Sequence, residues 1–474
     1  MSDSVHAFEN AASGVVVNDV HSRLNATVVR EVTQVRDAAD VGSCVARAVS
    51  ERLSISIAGG RHAMGGQQFA QDSILIDTTM MNRILQFDAE RGIIEVQAGI
   101  FWSALIDGLQ GLQGVEENGW AIRQKPTGAD DLTIGGSLSA NVHGRGLRMK
   151  PLVDDIEYFR MVDCTGAELK VSRTENSEIF QLAIGGYGLF GVVTSVALRL
   201  APRAKLQRRV QIIQAADLMA CFNQHINDGY VYGDFQFAID DASEDFLDRG
   251  IFAAYKPVPW ETLIATEPKT LTIEDWKKLL VLTHTDKKRA YEEYAKHYLA
   301  TDGQIYLSDR QQLSTYIEDY HGPLDKLLNT GVQATEIISE LYVPREHLKS
   351  FLQGAAEILR GKVDVIYGTI RLIEREDETI LRWAKESYAC IIFNLHTPHS
   401  EDGLLKTRTA FMQLIHLAIQ MSGSFYLTYH KFADRSQVLA CYSKFPDFLA
   451  AKKRIDPAGV FQSQWYRHYE PLLS

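Results

Sequence analysis

Between residues 30 and 203 the apolar positions switch repeatedly between two spacings. Residues 37–53 place apolar side chains three and four apart, which predicts an amphipathic helix. Residues 54–58, Ser-Ile-Ser-Ile-Ala, alternate polar and apolar, residues 74–77 are a short apolar run closed by Asp77, and residues 93–98 alternate apolar and polar from Ile94 onward, so all three read as strands. A second helical run covers 102–109. After Pro202 the texture changes. Strand-like pieces at 232–239, 336–343 and 365–373 are interleaved with a charged helical block, 273–299, whose charges read as a solvated face. Residues 438–460 predict a helix ending at the breaker Asp456-Pro457-Ala458-Gly459, followed by the aromatic-rich stretch 464–469. The mixture predicts an α+β protein in two large parts, the second built on an antiparallel sheet flanked by helices.

Three glycine-rich stretches punctuate the first part. Gly186-Tyr-Gly188-Leu-Phe-Gly191 satisfies the dinucleotide pattern G-x-G-x-x-G, but that mechanism needs a strand before the glycines and a helix after them. Here a helical run, 176–184, precedes and a β-rich run, 192–200, follows, so the motif reads as a helix-to-strand turn in which glycine permits positive φ. Gly59-Gly60-Arg61-His62-Ala63-Met64-Gly65-Gly66-Gln67 does follow a predicted strand. Such a loop can turn successive N–H groups toward one point and form an anion nest for a diphosphate. In the third stretch, 126–146, Thr133, Ser137, Ser139 and Asn141 alternate with Ile134, Leu138 and Val142, which predicts an extended segment with one polar side against a flat or anionic ligand.

Composition narrows the partner. The chain has 474 residues, of which 46% are hydrophobic, enough for a substantial core, and its net charge of −11 argues against nucleic-acid or anionic-membrane binding. A small molecule is the expected partner; oligomeric state is left open. No stretch approaches 18 consecutive apolar residues, and residues 1–16 carry Asp3 and Glu9 without an apolar core, so neither a leader nor a membrane span is expected. The five cysteines, Cys44, Cys164, Cys221, Cys390 and Cys441, form no C-x-x-C pair and read as reduced thiols of a cytoplasmic protein.

Gly60 to Ala70 resembles the pyrophosphate loop of cytokinin dehydrogenases, in which Gly-Arg-Gly-His-Ser leads to Gly-Gln-Ala-Phe-Ala. Thr133-Ile-Gly-Gly-Ser-Leu-Ser139, Asp163-Cys-Thr-Gly166 and the run from Ile179 through Gly186-Tyr-Gly-Leu-Phe-Gly191 to Thr194 follow in the order of that family. These marks are similar to those of the vanillyl-alcohol oxidase/p-cresol methylhydroxylase (PCMH) type of FAD-linked oxidoreductase. The resemblance implies an FAD-binding PCMH-type domain over 1–205, a substrate-binding cap over 206–436 and a C-terminal segment, 437–474, returning to the FAD domain. It implies FAD contacts from Gly59, Gly60, Arg61, His62, Ala63, Met64, Gly65, Gln67, Thr127, Gly128, Asp131, Thr133, Gly135, Gly136, Ser139, Asn141, His143, Gly188, Gly191 and Val192. It further implies a covalent bond from His62 to the flavin.

Gly128 stands where cytokinin dehydrogenases carry their catalytic Asp, which argues against amine oxidation. Asn141-Val-His143-Gly144-Arg145-Gly146 resembles the decaprenylphosphoryl-ribose oxidase loop beside the flavin. More loosely, Tyr367-Gly-Thr-Ile-Arg371 and Phe425-Tyr-Leu-Thr-Tyr429-His430-Lys431 resemble pieces of the aldonolactone and alditol oxidases, with Thr369 replacing an alditol oxidase Glu. The expectation is an FAD-dependent oxidoreductase acting on a CH–OH group of a sugar, polyol or aldonolactone, with oxygen or another acceptor reoxidising the flavin. The alternative is a non-catalytic flavin or nucleotide binder. Lys431 is the expected base, because desolvation lowers a lysine toward neutrality, and Arg371 the group that stabilises a developing alkoxide, with His143 beside them. If the 425–431 run is a strand, Tyr429 and Lys431 share a face and His430 points away. Glu336 and Glu340 also share a face, where they either accept hydrogen bonds from a polyol or form the solvated face of an antiparallel sheet; the solvated reading is preferred. His396 and His399 have no carboxylate or cysteine at ligand spacing nearby in sequence, so no metal is expected.

Overall fold

The computed structural model describes residues 9–11, 14–114, 119–128, 130–314, 317 and 320–473; most of the stretch 1–16, read above as lacking a leader, lies outside them. The first half holds a three-stranded parallel sheet in which Ile74–Asp77 lies between Glu31–Gln34 and Ile55–Ala58. The helix Ala38–Glu51 packs on it. Asp37 starts that helix by accepting the N–H groups of Ala39 and Asp40, Arg52 ends it with φ 55°, and Val41, Cys44, Val45 and Ala48 form its buried stripe at helical spacing. Beside it stands an antiparallel sheet in the order Glu168–Ser172, Ile156–Val162, Val192–Pro202, Ile93–Gln97, Ile84–Asp88.

The second half is an eight-stranded antiparallel sheet, ordered Ile305–Leu307, Lys205–Gln214, Arg249–Val258, Tyr232–Phe237, Val365–Ile373, Tyr388–Pro398, Ala334–Pro344, Ser424–Phe425. One face takes the helices Leu348–Leu359 and Glu401–Gln420, whose buried residues include Phe351, Leu352, Phe411 and Leu414. On strand Ala334–Pro344 the two-residue period separates Ile337 and Leu341, in the hydrophobic core, from Glu336, Ile338 and Glu340, which line a cavity on the opposite face. Both carboxylates are buried. The solvated reading of Glu336 and Glu340 is therefore corrected: the sheet is covered on both sides, and alternation alone does not distinguish a wet face from a cavity wall.

The charged block is two helices, Ile273–Thr285 and Lys287–Ala300, and its solvated reading holds for one side only, because Trp276, Leu279, Tyr294 and Tyr298 line the cavity. The helix expected over 438–460 is divided into Arg435–Cys441 and Phe445–Ile455, and the aromatic stretch beyond is the helix Gln464–Leu473. Between these helices the chain returns to the first half. The Ile55 N–H donates to the Val460 carbonyl, Gln462 N–H to the Ile55 carbonyl, Gln464 N–H to Phe69 and Trp465 N–H to Gly66. Phe461 is fully buried there. Among the described residues no helix is long and apolar enough to cross a membrane, and all five cysteines are free.

Candidate active site

The glycine loops and the eight-stranded sheet enclose a cavity of about 710 Å³. Its floor exists because two loops touch with no room for a side chain between them. A Cβ on Gly59 would fall 2.2 Å from Thr133 Oγ1, and one on Gly60 2.2 Å from the Asp131 carbonyl oxygen. Downstream the chain is not extended, as its alternation suggested, but forms the helix Ile134–Ala140. Thr133 caps that helix by accepting the Gly136 N–H, and Ile134, Ser137 and Leu138 are buried at helical spacing; the same residues satisfy both periods, and the cap decides between them. The Gly186–Gly191 motif behaves as expected. The helix Ser177–Ala183 ends in a turn with Gly185 and Gly188 at φ 72° and 74°, and the strand Val192–Pro202 follows.

Of the twenty residues expected to contact a cofactor, Gly59, Gly60, Arg61, His62, Ala63, Met64, Gln67, Thr127, Gly128, Thr133, Gly135, Gly136, Ser139, His143, Gly188 and Gly191 line the cavity. Gly65, Asp131, Asn141 and Val192 do not. Gly65 is turned into the loop, where its N–H reaches Gln67 Oε1; Asp131 supplies the carbonyl that Gly60 approaches; Asn141 accepts the Val153 N–H; and Val192 is fully buried in the core. His62 Nδ1 lies 2.8 Å from Nε2 of His21, and both rings line the cavity.

Opposite the glycines a buried polar cluster hangs from the sheet. Glu340 Oε1 lies 2.8 Å from His143 Nε2 and also accepts from the Tyr342 hydroxyl and, at 3.4 Å, the Cys390 thiol; Oε2 accepts from the Tyr429 hydroxyl at 3.1 Å. Strand register builds this group, because Tyr342 and Arg371 both sit opposite Cys390 on the strand between them. His143 Nδ1 faces the Gly144 carbonyl at 3.0 Å, so both imidazole nitrogens meet oxygen acceptors. Burial alone would raise the Glu340 carboxyl, but the charge and hydrogen bond of His143, the Tyr342 hydroxyl and Arg371 outweigh it and hold the carboxyl below its ordinary value. Burial and that carboxylate push the hydroxyls of Tyr342 and Tyr429 far up, so both stay protonated and donate. Sequence reasoning missed Tyr342, Tyr429 and Cys390 as members of this group; the spacing of two between Glu340 and Tyr342 on one strand is the available signal, whereas Cys390 on an apolar strand and Tyr429 beyond the strand end at Phe425 carry none.

Arg371 and His143 line the cavity as expected, but Lys431 does not. The strand expected over 425–431 stops at Phe425, the chain turns, and Lys431 Nζ donates 2.8 Å to the Gly65 carbonyl behind the first loop. Tyr429 reaches the cavity instead. The sequence argument against a metal is also corrected in part, because the carboxylate absent near His396 in sequence is supplied across the sheet by Glu336, which pairs with it in register.

Residues 29–172 match the family model described as FAD binding domain. The chain carries an FAD-binding domain. Over 225 residues it is 24% identical to the mitochondrial L-galactono-1,4-lactone dehydrogenase of Arabidopsis thaliana, covering 45% of this chain and 35% of that protein. Over 167 residues it is 27% identical to the L-gulonolactone oxidase of Mus musculus, covering 35% of this chain and 36% of that enzyme. An uncharacterized oxidoreductase of the fasciation locus of Rhodococcoides fascians is 26% identical over 217 residues, 44% of each chain. The chain thus spans about a third to under a half of the length of these relatives.

The cavity suits the cofactor that such a domain takes. Two loops meet only where glycine removes a Cβ, and Thr127 Oγ1, on the cavity wall, is buried without a partner. Gly59→Ala forces Thr133 away and opens the floor of the FAD-binding domain; the purified variant is expected to lose at least tenfold of its FAD affinity in a fluorescence titration while unfolding as cooperatively as the parent. Behind the floor, burial lowers His430 from 6.5 to about 4 and Lys431 from 10.5 to about 8. The fold therefore favours the neutral form of each, while the unfolded chain takes up a proton first. Stability falls as pH drops from 10.5 to 8 and again from 6.5 to 4. Urea midpoints measured across the acid window should decline less steeply for His430→Gln than for the parent.

Proposed function

We propose that this protein is an FAD-dependent oxidoreductase that oxidises a CH–OH group of a sugar, polyol or aldonolactone. The observation that carries the reading is the cap-side wall. Asp234 Oδ1, Gln236 Oε1, Thr369 Oγ1, and Nε of Arg145 and Arg371 are buried without hydrogen-bond partners, and all five residues line the cavity beside the His143–Glu340 pair. A buried polar atom left unpaired costs about 1–3 kcal/mol, so five on one wall mark a surface built for a ligand rich in hydroxyl and carbonyl oxygens. The names of the relatives above, lactone dehydrogenases and oxidases, support the same substrate class. On this reading residues 1–205 hold the cofactor, 206–436 form the substrate cap, and 437–474 return to brace the first part.

FAD, when bound, supplies the hydride acceptor, and oxygen or another acceptor takes the electrons onward. The cofactor is held by the glycine loops around 59–67 and 127–136, and His62 is the residue proposed to bond it covalently. The protein handles the proton. Tyr429, on the cavity wall, donates to Glu340 Oε2 and keeps its own oxygen lone pairs for the substrate hydroxyl. As that hydroxyl ionises, its proton passes to the Tyr429 oxygen and the phenolic proton moves to Glu340. Arg371, permanently charged, stabilises the oxygen that loses its proton, and His143 keeps Glu340 aimed from the opposite side. This places the base at Glu340, reached through Tyr429, rather than at Lys431.

Two experiments test the reading. Anaerobic addition of aldonolactones, sugars and polyols should bleach the flavin absorption band for at least one class; a band untouched by every class returns the protein to flavin binding without turnover. With the active substrate, Glu340→Gln and Tyr429→Phe should each lower kcat by roughly 10²-fold, the scale of a lost proton acceptor, with flavin content unchanged. Separately, acid-precipitated protein should stay yellow, and His62→Ala should release its flavin to the supernatant.

A further inference from the structure

On the same sheet, away from Glu340, three potential ligand side chains converge from three elements. His284 sits in the last turn of helix Ile273–Thr285, Glu336 near the start of strand Ala334–Pro344, and His396 directly opposite it on strand Tyr388–Pro398. His396 Nδ1 lies 3.5 Å and His284 Nε2 3.9 Å from the one oxygen, Glu336 Oε1, and the three ligand atoms all fall within 4.8 Å of one another. The two imidazole rings meet edge to face, 4.6 Å between centroids. We propose that His284, Glu336 and His396 bind one divalent transition-metal cation of the zinc class beside the cavity, whose wall Glu336 reaches.

His396 Nδ1 makes a long hydrogen bond, 3.5 Å, to Glu336 Oε1, but hydrogen bonding does not account for the position of His284. At 3.9 Å His284 is too far to donate to the carboxylate, and its Nε2 is buried without a partner although the side chain is only 4% exposed. A buried imidazole nitrogen aimed at a carboxylate oxygen beyond bonding range leaves space for an ion between them. In a tetrahedral zinc site, ligand bonds of about 2.0–2.2 Å place donor atoms roughly 3.3–3.5 Å apart, so small side-chain rotations close this group around a cation. The other carboxylate oxygen is already occupied. Glu336 Oε2 takes the Tyr320 hydroxyl and lies 2.8 Å from His321 Nε2, contacts that fix the carboxylate plane and leave Oε1 toward the two imidazoles. Such outer partners are what a metal-binding carboxylate requires to hold its direction.

The donor set selects the ion. Two imidazoles and one carboxylate suit zinc or a neighbouring divalent transition metal, whereas calcium and magnesium prefer all-oxygen shells and copper(I) prefers sulfur. Three protein ligands leave a position open. Glu336, Tyr320 and His321 line the cavity, so an oxygen of the cavity's ligand can complete the shell and be held by the cation. Metal uptake does not depend on the oxidoreductase reading and is measured without turnover.

The test uses the 474-residue, FAD-loaded chain after chelator treatment and removal of the chelator. Calorimetric titration with zinc should give one equivalent per chain, and cobalt(II) should give the visible absorption of a four-coordinate site. His284→Ala and Glu336→Gln should each weaken zinc binding at least 100-fold and abolish the cobalt band, and Tyr320→Phe should weaken binding roughly 10-fold by loosening the carboxylate. His416→Ala, on an exposed helix face, should leave both readouts unchanged. Should His284→Ala fail to fold, His284→Gln replaces it, with thermal unfolding and flavin content as checks. Absence of a stoichiometric site in the parent, or equal affinity in folded His284 and Glu336 variants, overturns the proposal.

Discussion

The contact between residues 59–60 and residues 131–133 is the constraint on which the cavity rests. Two backbone segments from distant parts of the sequence approach so closely that any side chain at Gly59 or Gly60 would overlap Thr133 or the Asp131 carbonyl. Closeness of this kind fixes the positions of both loops at once, because neither can shift without opening a gap. The C-terminal chain secures the arrangement from behind. Its hydrogen bonds from Gln462 to Ile55, Gln464 to Phe69 and Trp465 to Gly66 fall before, after and within the first loop. The floor is therefore held by chain from three regions of the sequence, and the eight-stranded sheet forms the facing wall.

On that wall a single carboxylate organises the polar groups. Glu340 is buried, and an isolated buried carboxylate would be strongly penalised. It is accompanied by His143, Tyr342, Cys390 and Tyr429, so both of its oxygens are occupied. The four partners come from the third glycine stretch, from the same strand, from the neighbouring strand and from the turn after Phe425. Satisfying one charge therefore ties the first half of the chain to the eight-stranded sheet. The polar atoms left unpaired belong to residues that line the same cavity as this saturated group.

How far the sequence could be read follows from where each signal resides. Glycine signals are local: Gly59, Gly60, Gly188 and Gly191 report backbone requirements that hold whatever the rest of the chain does, so the loops and their shared cavity were legible. The helix Ile134–Ala140 was not, since Ile134 and Leu138 fit both a two-residue and a helical period and the deciding cap is one hydroxyl at Thr133. Glu336 and Glu340 were correctly placed on one face, but what covers that face is decided by the glycine loops and the helices at 273–300. His284 gave no sequence signal at all, because its neighbours Glu336 and His396 lie 52 and 112 positions onward in the chain.

Lys431 illustrates why residue type and burial do not by themselves assign a chemical role. Its pKa is depressed to about 8, the range suited to a lysine base, by desolvation. Yet the same burial that tunes it also removes it from the cavity, and its ammonium is engaged by the Gly65 carbonyl. A base must reach the proton it accepts, within hydrogen-bond range or through one intermediary. Tyr429, two residues earlier, reaches the cavity wall because the chain turns after Phe425 instead of continuing as a strand. The turn sends the two side chains apart: the cation on one side is bonded to the Gly65 carbonyl of the first loop, and the phenol on the other donates to Glu340. A continued strand would have put both side chains on one face, leaving the first loop without its lysine contact.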